Sequence, residues 1–200
     1  MRKVKKILFV VKDKVTILVD GETEFWYLQM IKRNNRKINI DIKPEIPQKK
    51  KIEDQYKRAI ELSKIYDKVI WIVDLDVVID EGKLEILVDY RKELENKYNN
   101  IIIIFNQPCL EYWFALHFKF SQPPFTNCSE ASHILKKSVT NYEKKEVFFT
   151  KQNDDIFLKL KANLPNAIEN SRKCGDFDVS NPQIGFSEMY KLFDLLKLTL

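Results

Sequence analysis

Two acidic clusters, each placed just after a short apolar run, carry the chemistry this chain offers. Asp20-Gly21-Glu22-Thr23-Glu24 follows residues 15–19, and Asp74-Leu75-Asp76 follows residues 69–73. Runs this short, rich in β-branched residues and unbroken by charge, read as strands buried on both faces. Carboxylates just beyond the C-terminal ends of such strands fall in the crevice where open α/β sheets bind ligands. Several carboxylates in one crevice repel one another unless a cation lies among them, and Mg²⁺ or Mn²⁺ is the hard-cation solution. The pattern points to metal-dependent chemistry on phosphates, with Asp20, Asp74 and Asp76 as metal ligands and Glu24 as a further catalytic candidate. Asp74 and Asp76 alternate on what reads as extended chain, so both would face one ion. The plainer readings are strand-end solvation or helix capping for the two aspartates and a helix-dipole role for Glu24. Glu22 also reads as plain loop.

The elements that must hold these groups follow from periodicity. Residues 7–11 and 15–19 are two apolar runs split by Lys12-Asp13-Lys14, either a hairpin or one interrupted strand. Phe25, Leu28 and Ile31 recur at helical spacing, with Thr23 as the expected N-cap. Ile38, Ile40 and Ile42 alternate with polar residues, an edge strand stopped by Pro44 and Pro47. An amphipathic helix through Ile52, Tyr56, Ala59 and Ile60 leads into the run at 69–73. Leu84, Leu87, Val88, Arg91 and Leu94 mark a third helix, and residues 101–105 a fourth strand. This alternation argues for an α/β fold with a doubly wound, mostly parallel sheet and right-handed crossovers. The four glycines form neither GxGxxG nor GxxxxGK[ST], which argues against a dinucleotide or P-loop site.

Past Pro108 the pattern turns helical. Leu110, Trp113, Phe114 and His117 share one face, and further helices are expected near 129–139, 153–170 and 187–198, with Pro165 breaking the second. Residues 1–108 thus read as an α/β core, and 109–200 as a helical lobe packed on it. Trp113, Phe114, Phe118 and Phe120 read as core. Glu111 is a carboxylate on an apolar helix, either a site residue or part of a surface turn. His117 reads more readily as a core histidine than as a ligand.

Composition sets bounds. At 44% hydrophobic and 12% aromatic, the 200 residues are enough for a real core. The net charge of +5 is mild, but Arg2, Lys3, Lys5 and Lys6 cluster, as do Lys49, Lys50, Lys51, Lys57 and Arg58. Such runs are most often solvated faces, yet beside an acidic metal site they would suit a polyanion. Cys109, Cys128 and Cys174, odd in number and irregularly spaced, read as reduced thiols of a cytoplasmic protein rather than as a zinc site. The run at 7–11 is too short for a signal peptide or a membrane span.

Together these motifs resemble the Toprim fold, and more closely the RloB-like family of Toprim-type proteins. Gln107-Pro108-Cys109-Leu110-Glu111-Tyr112-Trp113 with His117, Tyr142-Glu143-Lys144-Lys145, and Asn181-Pro182 before the last helix are similar to that family's segments, in the same order. The resemblance spans roughly residues 14–198. It implies a Mg²⁺- or Mn²⁺-dependent nuclease acting on DNA or RNA in phage abortive infection, with Asp20, Glu24, Asp74, Asp76, Glu111 and Lys144 as catalytic residues. It equally implies an alternative, a regulatory or effector subunit active only with an AAA-type ATPase partner. One departure is evident: Asp20 stands where the family usually has glutamate, one methylene shorter.

Overall fold

A computed structural model describes residues 14–45 and 50–198. The run at 7–11, the first basic cluster, Pro47 and Lys49 lie outside the described residues. Four parallel strands, β1 (Val15–Leu18), β2 (Ile40–Lys43), β3 (Lys68–Asp74) and β4 (Ile101–Gln107), are joined by a short antiparallel β5 (Phe186–Ser187). The sheet order is β2-β1-β3-β4-β5, so the two strands that end in acidic clusters, β1 and β3, are neighbours. Their pairing sets Ile17 beside Ile70 and carries both chains to the same edge. As the alternating pattern at 38–42 implies, β2 is an edge strand.

Helices α1 (Glu22–Asn34), α2 (Ile52–Ser63), α3 (Leu75–Asp80) and α4 (Leu84–Lys97) connect the strands. The period-2 geometry of the strands sorts their side chains into two apolar layers. Val15, Ile17, Ile70, Ile72 and Ile104 pack with Tyr27, Leu28 and Ile31 of α1. Leu18, Val69, Trp71, Ile103 and Phe105 pack with Ala59 and Leu62 of α2 and Leu87 and Leu94 of α4. Burial on both faces is what the unbroken apolar runs foretold.

The second half supplies α5 (Leu110–Leu116), α6 (Cys128–Lys136), α7 (Glu146–Thr150), α8 (Ile156–Lys161), α9 (Leu164–Lys173) and α10 (Tyr190–Leu196). Trp113, Phe114, Phe149, Phe157 and Phe193 from this half join the α1 layer. The expected helix at 153–170 is two helices, and Pro165 sits in the first turn of α9, where its missing N–H costs nothing. Three expectations need correction. Gly21, not Thr23, is the N-cap of α1. Residue 187 belongs to a strand, because Phe186 and Ser187 pair with Gln107 and Asn106 before α10 begins; Asn181-Pro182 therefore precedes that strand, not the helix directly. Phe118 and Phe120 are each 38% exposed, since α5 ends at Leu116 and its buried face ends with it.

A buried pair clamps β5 in place. Arg91 of α4 donates to both carboxylate oxygens of Glu188, which also accepts the Phe105 amide at 3.0 Å. No helix among the described residues is long and apolar enough to cross a membrane. Because Ile17 is fully buried at the centre of the sheet, Ile17→Ala should cost about 2–4 kcal/mol. Urea denaturation followed by circular dichroism would show that loss as a lowered midpoint at an unchanged slope.

Candidate functional site

The chain turns sharply from strand to helix at three places along one sheet edge, and each turn delivers a carboxylate. After β1, Asp20 and Gly21 lead into α1, whose first turn carries Glu24. Asp74 ends β3 and is the N-cap of α3, which carries Asp76. After β4, Cys109 caps α5, which carries Glu111. Acidic side chains in a first helical turn face the positive end of the helix dipole. That placement is one reason so much negative charge can be gathered here.

Asp20, Glu22, Glu24, Asp74 and Asp76 line a common cavity of about 820 Å³, with Trp26, Lys50, Lys51, Lys83, Lys144, Cys109 and Cys128 also in its wall. The expected route for Asp76 is corrected: it lies in α3, not on extended chain two residues along from Asp74. The backbone becomes helical at Leu75, and the two carboxylates share the cavity for that reason rather than by strand alternation.

Glu24 and Glu111 are buried, and Asp74 is partly buried. The Leu110 amide donates to Asp74 Oδ2 at 3.3 Å and Asn106 Nδ2 to Oδ1 at 3.4 Å. Burial pushes Asp74 well above the usual carboxylate range, and the charge of Glu24, a hydrogen bond to it, and Glu111 and Asp76 push it further. Burial raises Glu24 as well, while its bond from Asp74 acts the other way. The two carboxyl groups interact, and both are held above the ordinary carboxylate range. Asp76 is raised chiefly by burial, opposed by the Val77 amide that donates to it at 2.8 Å and by the charge of Lys144.

Gly21 makes room for this arrangement. A Cβ there would lie 2.1 Å from Glu24 Oε2, so any other residue would displace that carboxylate. Asp20 sits on the rim, where its Oδ1 accepts the Lys50 amide at 2.9 Å.

Glu111 is fully buried and not on a surface turn. Its Oε1 accepts the Tyr142 hydroxyl and the Lys144 ammonium, both at 3.0 Å. Burial pulls the Lys144 pKa down, but Glu111, Glu24 and Asp74 outweigh it and the net shift is upward. Lys144 is thus a cation beside the acids, with its side chain half exposed. Lys145, also exposed, turns instead to Glu143 at 2.9 Å.

His117 stands apart. It is buried against Trp113, its Nδ1 lies 3.1 Å from the Trp113 carbonyl, and burial lowers its pKa to about 4. It is a neutral core histidine outside the cavity wall. The reading of Cys109 and Cys128 as reduced thiols is also corrected, because the two form a disulfide. A separation of 19 residues gives no hint of it; the fold brings the end of β4 beside the start of α6. Trp26 escaped the sequence reading because helical spacing pointed to Phe25 and Leu28, although it lies only two residues past Glu24.

The fold and site thus define an α/β protein whose parallel strands end in a buried carboxylate cluster served by one lysine. The chain belongs to the RloB-like protein family, whose model matches residues 15–196. Comparison with curated proteins and with solved structures gave no match.

The upward shifts of Asp74 and Glu24 set a pH dependence. Asp74 and Glu24 have folded-state pKa values above their unfolded ones, so above the ordinary carboxylate range the native state binds more protons than the unfolded chain. Stability must then fall as pH rises through that window. Asp74→Asn keeps an N–H donor toward Glu24 but cannot ionise. In metal-free melts from about pH 5 to 8 the variant should gain on the wild type as pH rises. Parallel curves would show that Asp74 carries no such proton.

Proposed function

We propose that the chain is a Toprim-type nuclease whose acidic cavity holds Mg²⁺ or Mn²⁺ and hydrolyses nucleic-acid phosphodiesters. The observation that carries this reading is the gathering of buried Glu24 and Glu111 with partly buried Asp74 and Asp76, and Lys144 beside them. The donor set is all oxygen, in keeping with a hard divalent cation. It also carries more negative charge than Lys144 alone balances. Glu24, Asp74 and Asp76 would hold the ion, with Asp20 adding a carboxylate at the rim.

A bound ion of this kind polarises the phosphate and lowers the pKa of attacking water. The protein's own groups do the rest. Lys144, held by Glu111, faces the negative charge that develops on the phosphate oxygens. Tyr142 donates to the same Glu111 oxygen that Lys144 meets and so steadies the partner of Lys144. Lys50 and Lys51, at the mouth of the cavity, draw a polyanion toward it. The family resemblance adds phage defence as the setting for this activity.

The test is cleavage of labelled DNA and RNA, structured RNA included, with Mg²⁺ or Mn²⁺. Activity should vanish with chelator and fall about 100-fold or more in Asp74→Asn and Glu24→Gln. Cleavage that survives chelation, or persists in both variants, would sink the assignment. Activity that appears only on mixing with an AAA-type ATPase would assign the same site to an effector subunit.

A further inference from the structure

The cavity wall contains one covalent link that the proposed chemistry does not use. Cys109 and Cys128 join the start of α5 to the start of α6. Both segments touch the carboxylates. On the α5 side, the Pro108 carbonyl accepts the Asp76 amide at 3.1 Å and the Leu110 amide donates to Asp74 at 3.3 Å. Glu111 follows one residue later. The α6 side meets Glu111 through Cys128 itself. Cys128 Sγ lies 3.0 Å from Glu111 Oε2 and 3.7 Å from Lys144 Nζ.

We propose that this disulfide is a redox-controlled clasp on the carboxylate cluster, so that its reduction lowers the affinity of the cavity for divalent metal. The inference rests on the reading of the cavity as a divalent-cation site. Closed, the clasp fixes the distance between the two backbone segments that orient Asp74, Asp76 and Glu111. Preorganised ligands bind more tightly because less order is lost on binding. A dithiol reductant opens it: two electrons and two protons pass to the S–S bond, two thiols form, and the reductant leaves as its own disulfide. The start of α6, with Cys128 beside Glu111, is then tethered only by non-covalent contacts. The partly exposed Cys128, in the wall of an open cavity, gives the reductant access. Disulfides open to solvent are the more readily reduced, regulatory kind. Cys174 remains a free thiol and takes no part.

The experiment uses the full chain with Cys174→Ser, so that the pair alone responds. One sample is oxidised and another reduced with a dithiol that is then removed; Mn²⁺ is titrated into each by calorimetry. Alkylation with peptide mass mapping reports the state of both cysteines. The expected result is a Cys109–Cys128 linkage in the oxidised sample and Mn²⁺ binding weaker by about tenfold in the reduced one, restored on reoxidation. The double variant Cys109→Ser/Cys128→Ser should bind weakly whatever the treatment, and the comparison within one unsubstituted pair stands even if that variant misfolds. Equal Mn²⁺ affinity in the two states, or unpaired cysteines after oxidation, overturns the clasp and leaves the metal site intact. Absence of Mn²⁺ binding in both states overturns the clasp and the metal site together.

Discussion

Everything about this site depends on how the chain tolerates several carboxylates in one buried place. Isolated buried carboxylates are costly, and like charges close together raise one another's pKa. Three devices offset that cost. The strands β1, β3 and β4 each give way to a helix at the same edge, so Glu24, Asp76 and Glu111 all lie in first turns. Asp74 and Glu24 are hydrogen-bonded and both raised, which favours holding a proton over carrying two charges. Lys144 and Tyr142, from the segment after α6, close on Glu111. The two apolar layers on either side of the sheet make such a concentration affordable.

The fold was largely legible because its signal is local. A strand buried on both faces must be apolar at consecutive positions, and residues 69–73 and 101–105 are. Asp74 was legible for the same reason, since the end of an apolar run marks a strand end. Proximity across the chain has no such signature. Nothing in the spacing of Tyr142 and Lys144 sets them beside Glu111; only their likeness to an RloB-like segment drew attention to them. The disulfide was misread on the same account. The two-residue strand β5 was missed because its pairing depends on Asn106 and on Glu188 reaching Arg91, contacts made over more than eighty residues of chain.

Where the sequence reading treated Asp20 as the counterpart of the usual glutamate, the structure suggests a division of labour within one turn. Asp20 and Glu24 leave β1 on the two sides of Gly21. The missing Cβ of Gly21 lets the Glu24 carboxylate fold back toward Asp74, so the deeper position is filled from the helix rather than from the strand end. Asp20 stays at the rim and accepts the Lys50 amide. That bond anchors the chain just ahead of α2, where Lys50 and Lys51 stand at the cavity mouth. Glu24, reaching back over Gly21, is the carboxylate that this turn adds to the buried groups, and Asp20 is the one that ties the turn to the chain ahead of α2.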